Sequence, residues 1–372
     1  MSLHLRRLWL TDFRSYASAD VTLPPGTTAI IGRNGQGKTN LLEAVAYLAG
    51  SSLRGAATEA MVRVGAERAV VRAEATRGPR ELLLEAEIAL RGRSRMQLNR
   101  QPVKRRRDLL DALSVTLFSP DDLVLVKGGP SERRRWLDDA AVGLDHQTES
   151  VRSDVERILK QRNALLKQCR GRLDEAAALT LDVWDDRLAR AGTALAERRA
   201  AALADLVPRL TQAYRDLAGR PLPVSAAYEA PWRPGGLAAA LAEARDQDLR
   251  RGVTTVGPHR DDVVFALDEL PARTHASQGE QRSLALALRL SVHRAITEVS
   301  GESPILLLDD VLSELDDDRT EALLAHLPPG QTLLTTAGPL PRRTEPQLVL
   351  RVADGAVTPA DGPAGATSMP HS

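Results

Sequence analysis

A run of residues near the N-terminus has the types and spacing of a nucleotide phosphate-binding loop. The residues Gly32-Arg33-Asn34-Gly35-Gln36-Gly37-Lys38-Thr39 fit the pattern G-x-x-x-x-G-K-[ST]. Glycines let backbone N–H groups converge on phosphate oxygens, and the N-terminus of a following helix favours negative charge. Lys38 supplies a positive charge for the β- and γ-phosphates of ATP, and the Thr39 hydroxyl can ligate Mg²⁺. Average glycine usage gives about one chance match per hundred chains of this length, so the pattern predicts a site for ATP and Mg²⁺.

Two carboxylates end an apolar run much later in the chain. The run Pro304-Ile305-Leu306-Leu307-Leu308 is followed directly by Asp309 and Asp310. Alternation along a strand would direct these two side chains to opposite sides, which suits different roles. Asp309 is the natural second anchor for Mg²⁺, and Asp310 could orient or deprotonate an attacking water. An apolar strand ending in two aspartates is unremarkable alone, but with the phosphate loop it is the expected second half of the site.

The segment Ser277-Gln278-Gly279 stands at the start of a predicted helix, upstream of the aspartate pair. A serine and a glycine there can cap the helix or hold an anion, and capping is the more common role of an isolated serine. The position of the segment before the Asp309 strand favours anion binding. This order resembles ABC-type ATPases, in which the signature segment of one subunit closes over ATP held by the phosphate loop of another.

The surrounding sequence predicts the elements that these residues need. A strand at Thr27–Ile31 leads into the phosphate loop, and a helix at Asn40–Leu48 follows it. Residues 66–103 have the alternation of antiparallel strands. The C-terminal region has strands at Asp262–Leu267, Pro304–Asp309, Gln331–Thr336 and Gln347–Val352, and helices at Glu280–Val299 and Asp317–Leu327.

The middle of the chain has a near-heptad pattern that Gly171-Arg172 interrupts. It predicts two antiparallel helices, each of about two to four heptads, with Arg162 at one seam position. A projecting arm and an ordinary buried helix pair in a second lobe fit equally well. The apolar positions before the interruption are Val151, Val155, Ile158, Leu165 and Cys169, and those after it are Leu181, Trp184, Leu188, Ala191 and Leu195.

The bulk composition limits the class of protein. A chain of 372 residues exceeds what one core usually covers, and its 43% of apolar residues can bury a sizeable core. The formal net charge of +1 means that any contact with nucleic acid comes from local patches. The single cysteine, Cys169, excludes a disulfide framework within one chain. The N-terminus lacks the apolar stretch of a signal peptide, and no apolar run approaches the roughly 18 residues that span a bilayer. We therefore expect a cytoplasmic protein with no membrane partner.

The wide separation of the two halves of the site narrows the resemblance. Thr39 and Ser277 are 238 positions apart, as in the chromosome-maintenance and DNA-repair branch, whose split head carries an inserted helical arm. Within that branch the chain resembles the RecF family of bacterial recombination mediators. The segments that carry this resemblance occur in the right order over nearly the whole chain: Leu10–Tyr16, Gly35–Ala44, Phe118–Leu123, Pro130–Asp138, Thr255–Asp262 and Asp309–Asp316.

The resemblance implies an α/β fold, namely an ABC-type ATPase head with a phosphate loop and an inserted helical lobe similar to a short antiparallel coiled coil. Residues 1–140 would form the first ATPase part, with the phosphate loop and an antiparallel flap. Residues 141–250 would form the helical arm. Residues 251–353 would form the second ATPase part, with the signature and the aspartate pair, and residues 354–372 a disordered tail.

The resemblance also implies an activity and partners. A RecF-type protein would form a homodimer with ATP, bind double-stranded and gapped DNA, and hydrolyse ATP slowly under stimulation by DNA. Its protein partners would be RecR with RecO and, indirectly, RecA, whose loading it would assist in gap repair, replication restart and SOS induction. Such a protein would be associated with the nucleoid.

Residue roles follow from the same resemblance. Nucleotide contacts would come from the phosphate loop and Asn40, and across the dimer from Ser277, Gln278 and Gly279. Thr39 and Asp309 would hold Mg²⁺, and Lys38 and Asp310 would act in catalysis. The loop at Phe118–Asp122 would sense nucleotide, and Ser313–Asp316 would contact the second subunit. Asp310 stands where the ABC class usually has a glutamate, and Thr335-Thr336 where many relatives have a switch histidine, which predicts slow hydrolysis.

Two other classes of protein carry a similar ATPase site. A structural chromosome protein of the SMC or Rad50 type would need a much longer arm, and a transporter ATPase subunit would lack the large insertion.

The basic runs Lys104–Arg107 and Arg133–Arg135 are either DNA-backbone contacts or solvated faces neutralised by nearby aspartates. His259 could approach the nucleotide, although it lacks the neighbours of a metal ligand.

Overall fold

The computed structural model describes residues 3–50, 58–220 and 222–360. It divides into two compact units, Met1–Asp121 with Ile296–Ser372, and Asp122–Ala295. The strands are β1 (Leu3–Phe13), β2 (Tyr16–Thr22), β3 (Thr27–Ile31), β4 (Arg68–Arg77), β5 (Arg80–Ala89), β6 (Arg95–Leu98), β7 (Gln101–Pro102), β8 (Val115–Phe118), β9 (Val224–Glu229), β10 (Asp262–Leu267), β11 (Leu270–Pro271), β12 (Ile305–Asp309), β13 (Thr332–Thr336), β14 (Leu348–Ala353) and β15 (Ala356–Pro359). The helices are α1 (Lys38–Leu48), α2 (Arg106–Ala112), α3 (Val124–Lys127), α4 (Pro130–Leu144), α5 (Thr148–Cys169), α6 (Glu175–Leu217), α7 (Leu237–Arg251), α8 (Ala272–His275), α9 (Gln278–Ser300) and α10 (Asp317–Ala325).

A largely parallel sheet carries the phosphate loop and the aspartate pair in the first unit. Its strand order is β15-β14-β3-β13-β12-β8, and only the β14–β15 pairing is antiparallel. All residues of β12 and β13 are buried, as expected for parallel strands covered on both faces. Because the carboxyl ends of parallel strands meet at one edge, the loop after β3 and Asp309 at the end of β12 share that edge.

An antiparallel sheet with the order β2-β1-β4-β5-β6-β7 completes the first unit. Strands β4 and β5 alternate buried and more exposed residues, so each presents one apolar face. Helix α1 packs against β4 and β5 of this sheet and against β12 and β13 of the parallel sheet. Its apolar stripe, including Leu41, Leu42, Val45 and Leu48, is buried in one core cluster with both sheets. This core fixes the helix that begins at the phosphate loop.

The second unit combines the sheet β11-β10-β9 with the helices of the predicted arm. Helices α5 and α6 pack against each other and against α7. Val155 and Ile158 of α5 and Leu188 of α6 share a core cluster with Trp232 and Leu241. Each of the two helices therefore packs into this unit through one face, which is closer to the second of the two arrangements that the pattern allowed.

Two details differ from the sequence predictions. Helix α6 has 43 residues, about six heptads rather than two to four, and it continues through Pro208. The disorder predicted from Asp354 is wrong for residues 354–360, because β15 pairs with β14, and residues 361–372 lie outside the described residues. The division into segments at 140, 250 and 353 stays a prediction. Across the described ranges, none of the helices has the length and apolarity needed to cross a membrane.

Candidate nucleotide site

The phosphate loop joins β3 to α1 through a turn that requires glycine. Gly35 and Gly37 have φ angles of 81° and 108°, which side chains rarely tolerate. A Cβ atom at Gly37 would also lie 2.5 Å from Ser15 Oγ. Gly37 is the N-cap of α1, whose first turn has no side-chain cap and no acidic residue. No side chain therefore competes with an anion for the N–H groups at this helix start.

The Lys38 side chain folds back over the loop. It is 6% exposed, and its Nζ donates to the Gly32 carbonyl at 2.8 Å and the Arg33 carbonyl at 3.1 Å. The Asn34 Oδ1 atom lies 3.4 Å from the same nitrogen. A largely buried ammonium is thus held where the loop curves, and in a region of low dielectric its charge would act strongly on a bound anion.

Thr39 and Asp309 meet although they are 270 positions apart in sequence. The Thr39 Oγ1 hydroxyl donates to Asp309 Oδ1 at 2.7 Å. The parallel order β3-β13-β12 brings them together, because the loop that follows β3 and the end of β12 lie at the same edge. A hydroxyl beside a carboxylate is an all-oxygen donor set of the kind that Mg²⁺ prefers.

Asp310 lies just beyond the strand rather than in it. Strand β12 ends at Asp309, and Asp310 has a φ angle of 49°. The direction of the Asp310 side chain is therefore set by a left-handed backbone turn, whereas the sequence analysis predicted that direction from the alternation of side chains along a strand. In the part of the chain that is described, its Oδ1 atom is buried without a hydrogen-bond partner. A buried carboxylate oxygen of this kind can accept a proton from a water placed beside it.

The turn between β1 and β2 supports the loop and was not recognised as part of the site from the residues alone. The Arg14 guanidinium forms two hydrogen bonds of 2.7 and 2.6 Å to the Glu43 carboxylate of α1, and a third of 2.7 Å to the Ala60 carbonyl. Tyr16 Oη donates to the Gly37 carbonyl at 2.9 Å. The signal was present in the segment Leu10–Tyr16, which carried the family resemblance but no assigned role.

A second support comes from the turn between β14 and β15. The Asp354 backbone N–H donates to Gln36 Oε1. Gly355 approaches the turn before β2 so closely that a Cβ atom there would lie 2.6 Å from the Ser15 carbonyl oxygen. The residues predicted to begin a disordered tail therefore hold the side of the phosphate loop.

The signature segment lies in the second unit, at the start of α9. Ser277 Oγ accepts from the Glu280 N–H at 3.3 Å, and Glu280 Oε2 accepts from the Ser277 N–H at 2.7 Å. This reciprocal pair is a capping box, so Ser277 does cap the helix. Ser277 and Gln278 are exposed. The proposed contact of Ser277, Gln278 and Gly279 with a partner's phosphate stays a prediction.

The loop predicted to sense nucleotide is held by local contacts. Ser119 Oγ accepts from the Asp121 N–H at 3.1 Å. Asp122 is buried and accepts from two nitrogens of Arg289 on α9, at 3.0 and 2.7 Å. Burial lowers the pKa of Arg289, but the Asp122 carboxylate raises it by more, so the net pKa is above its usual value. Its sensing role stays a prediction.

The basic run on α4 is largely structural. Arg133 is 6% exposed and forms two hydrogen bonds, of 2.8 and 2.7 Å, with the Asp262 carboxylate. Arg134 donates to the Asp261 carbonyl at 2.6 Å. Arg135 pairs with Glu132 at the surface. For Arg133 this excludes the DNA-contact alternative, because its guanidinium already has a buried partner. Lys104, Arg105 and Arg107 are exposed, which fits either a solvated face or a contact with the DNA backbone.

His259 has a structural role in the same unit. Its Nε2 lies 3.0 Å from the Thr254 carbonyl, which can only accept, so the proton is on Nε2. Burial lowers the pKa of His259, and nearby Arg260 and Arg134 lower it further. The ring is therefore neutral near pH 7, and the predicted approach of His259 to the nucleotide stays a prediction.

Comparison with known proteins identifies the family. Residues 4–332 match the model of the RecF/RecN/SMC N-terminal domain. The chain is 45% identical over 352 residues to the DNA replication and repair protein RecF of Streptomyces avermitilis, covering 90% of this chain and 93% of that protein. It is 44% identical over 353 residues to RecF of Frankia alni, with the same coverage. The chain belongs to the RecF family.

Solved structures agree with this assignment. A RecF structure with ATP, described as a recombination mediator protein of the RecFOR pathway, superposes with a TM-score of 0.89 at 28% identity, covering 97% of this chain and 98% of that one. An Smc head domain from Pyrococcus furiosus is 16% identical with a TM-score of 0.55, a likeness of fold alone. The predicted ATPase-head fold with a helical insertion is confirmed.

The residues present fit ATP, which a related RecF structure contains, and would fit Mg²⁺. Backbone N–H groups at Gly37 and the start of α1 are free of side-chain caps, and the buried ammonium of Lys38 faces the same loop. Thr39 and Asp309 provide adjacent oxygens. The individual roles of these residues remain the predictions given above.

Proposed function

We propose that this chain is an ATP-dependent DNA-binding recombination mediator. It binds ATP with Mg²⁺, forms a homodimer in that state, and hydrolyses ATP slowly under stimulation by DNA. The single observation that carries the proposal is the 2.7 Å contact between Thr39 Oγ1 and Asp309 Oδ1. It joins the two halves of an ATPase site in a chain whose relatives are named DNA replication and repair proteins.

The protein groups would act on the nucleotide in a defined arrangement. The N–H groups from Gly32 to Asn40 would bind phosphate oxygens at the N-terminus of α1. The Lys38 ammonium would exchange its loop carbonyls for the β- and γ-phosphates. Thr39 and Asp309 would hold Mg²⁺, which neutralises charge that develops on the phosphates.

Asp310 would orient the attacking water and receive its proton. Its buried Oδ1 atom has no hydrogen-bond partner within the described residues, so this oxygen is available as an acceptor. We expect Asp310→Asn to slow hydrolysis about 100-fold while nucleotide affinity is kept. A variant that hydrolysed ATP at the wild-type rate would remove Asp310 from the mechanism.

The signature segment would complete the site across a homodimer. Ser277 and Gln278 are exposed at the start of α9, where a helix N-terminus favours an anion. ATP favours the closed dimer only if its γ-phosphate binds that state more tightly than the open one. Hydrolysis would then reopen the dimer, so the rate of ATP hydrolysis would set how long the dimer stays bound to DNA.

The biological setting is proposed from the relatives. Double-stranded and gapped DNA would be the substrates, and RecR with RecO would be the partners. Loading of RecA would be the outcome, in gap repair, replication restart and SOS induction near the nucleoid. The ATP-bound relative supports this setting, since that protein is described as a recombination mediator in the RecFOR pathway.

Binding to a labelled gapped duplex at fixed salt tests the proposal. Samples with no nucleotide, ADP, ATP and a non-hydrolysable ATP analogue are compared for the wild type and Lys38→Met. Lys160→Met is a matched control, because Lys160 is an exposed residue of α5. We expect ATP and the analogue to tighten binding at least about tenfold, a change of about 1.4 kcal/mol. The Lys38 variant should lose this effect and the Lys160 variant keep it. The same affinity for the gapped duplex with and without nucleotide would refute the proposal.

A further inference from the structure

We propose that Thr335 is a positioning residue for both aspartates of the site. It lies in β13, between the strand that leads into the phosphate loop and the strand that carries the aspartates. The residue is fully buried. Its Oγ1 donates to Asp309 Oδ1 at 2.9 Å and accepts from the Asp310 N–H at 2.9 Å. The inference rests on the proposed ATP site and assigns a residue to it.

The direction of the hydroxyl proton follows from this geometry. The Asp310 N–H can only donate, so the Thr335 hydroxyl oxygen accepts from it through a lone pair. The single proton of the Thr335 hydroxyl is then left for another acceptor. Asp309 Oδ1 lies at 2.9 Å from the hydroxyl oxygen, whereas the Leu308 carbonyl oxygen lies at 3.5 Å. The shorter contact dominates because hydrogen bonds weaken with distance. Thr335 therefore binds the Asp309 carboxylate from the side of β13.

Asp309 Oδ1 thus accepts from two threonine hydroxyls. Thr39 Oγ1 lies at 2.7 Å and Thr335 Oγ1 at 2.9 Å. Thr39 is expected to turn its oxygen toward Mg²⁺, whereas Thr335 is a buried strand residue that stays in place. Hydrogen bonds to a metal-ligating carboxylate fix its orientation, and their loss typically costs about 10–100-fold in metal affinity or activity.

The second contact holds Asp310 in its left-handed backbone conformation. A φ angle of 49° is uncommon for a residue with a side chain. Thr335 binds the N–H of Asp310 at 2.9 Å, and Ser313 Oγ donates to its carbonyl at 2.8 Å. Both polar groups of the Asp310 backbone are therefore anchored, and this anchoring sets the direction of its carboxylate.

The strand itself does not demand a hydroxyl at this position. Valine has the same branched shape and favours strands as strongly as threonine. Thr28 of the neighbouring β3 is equally buried, but in the part of the chain described its hydroxyl has no hydrogen-bond partner. Thr28→Val is thus a matched control that removes a buried threonine hydroxyl from the same sheet without touching the aspartates.

The experiment compares Thr335→Val, Thr335→Ser and Thr28→Val with the wild type. A fluorescent ADP analogue is titrated in EDTA and then at increasing Mg²⁺, and ATP turnover is measured at saturating nucleotide. We expect Thr335→Val to raise the Mg²⁺ midpoint about tenfold and to lower turnover about 10–100-fold. Affinity in EDTA should be unchanged, because the phosphate loop is intact. Thr335→Ser should restore both quantities, and Thr28→Val should alter neither.

Two results would overturn the inference. One is a Thr335→Val variant with the wild-type Mg²⁺ midpoint and turnover. The other is a loss that serine fails to restore, or that Thr28→Val shares, since either would reflect packing rather than the hydroxyl. The Mg²⁺ midpoint does not depend on DNA binding or hydrolysis. If the wild-type protein showed no ATP turnover, that result would count against the proposed function. The Mg²⁺ midpoints of the variants would still test the role of Thr335.

Discussion

Tyr16 Oη donates to the carbonyl oxygen of Gly37 at 2.9 Å, which ties the first hairpin of the chain to the last glycine of the phosphate loop. Gly37 is the N-cap of α1, so this contact lies at the point where the helix after the phosphate loop begins. Burial raises the pKa of Tyr16 above its usual value of about 10. The phenol therefore remains a donor throughout the working pH range.

Removal of this hydroxyl should weaken nucleotide binding more than it weakens the fold. Tyr16→Phe leaves the ring in the core and removes one donor from the Gly37 carbonyl, which still accepts from the Asn40 N–H, so we expect ATP affinity to fall several-fold and stability to fall by about 1 kcal/mol. Tyr47→Phe is the control, because that ring packs against the same core from α1. Nucleotide titration and urea unfolding measure the two effects. Equal affinity losses in both variants would contradict a specific role for Tyr16.

Arg14 and Glu43 should behave as a coupled pair. The Glu43 side chain is 3% exposed and its partner 21%, so loss of Arg14 leaves a buried carboxylate without its cation. Arg14→Met should destabilise the protein by about 3 kcal/mol, and the same substitution combined with Glu43→Leu should recover most of that loss. Urea unfolding of the single and double variants gives the coupling energy. Additive effects would mean that the pair is not coupled.

An exposed ion pair between β1 and β2 provides the comparison. Arg7 and Asp20 are also joined by two hydrogen bonds, but their side chains are 43% and 49% exposed. Solvent screening makes such pairs weak. Asp20→Asn should therefore leave the unfolding midpoint unchanged.

The parts of the site that sequence could predict are those that depend on local pattern. The spacing of Lys38 and Thr39 after glycines, and the apolar run before Asp309, indicate their chemistry without knowledge of the fold. The adjacency of Thr39 and Asp309 depends on the order of the strands in the parallel sheet, which no local pattern records. Strand β13 lies between β3 and β12, and it brings Thr335, which the sequence marked only as a departure from relatives.

Other features depend on long-range pairing that no local pattern records. Arg133 belongs to a run of three arginines, yet its partner Asp262 lies 129 positions later. The left-handed conformation of Asp310 likewise depends on contacts from Thr335 and Ser313. The length of α6 was underestimated because the apolar pattern was followed only to Leu195, whereas the helix continues through Pro208 to Leu217.

Arg162 should be essential to the stability of the second unit. It is fully buried and donates to Asp185 at 2.6 Å, Asp248 at 2.7 Å and Thr254 Oγ1 at 2.9 Å. Arg162→Met would leave the fully buried Asp248 without this ion pair, and Asp185 with only its longer pair to Arg245 at 3.6 Å, at a cost of about 3–5 kcal/mol. Arg157→Met on the same helix removes only an exposed pair with Asp154 and should be neutral. Differential scanning calorimetry measures both, and similar transitions for the two variants would contradict this assignment.

His293 should make the protein less stable as pH falls. It is 1% exposed, and burial, with the charge of Arg294, lowers its pKa from 6.5 to about 4. Because the unfolded chain takes up the proton near pH 6.5 and the folded chain only near pH 4, stability is fully present above pH 6.5 and is lost below it. The linkage amounts to about 2 kcal/mol between pH 7.5 and pH 5.

A substitution separates this contribution from that of the carboxylates. Burial raises the pKa of Asp185 and Asp261, so the folded chain holds their protons more tightly and their contribution to stability declines as pH rises. That trend is opposite to the trend for His293. Urea unfolding at pH 7.5 and pH 5 should therefore show a smaller loss for His293→Gln than for the wild type, by about 2 kcal/mol. His326→Gln is the control, since His326 is exposed on the turn after α10. If the His293 and His326 variants lost stability equally on acidification, the buried imidazole would not be the source of the pH dependence.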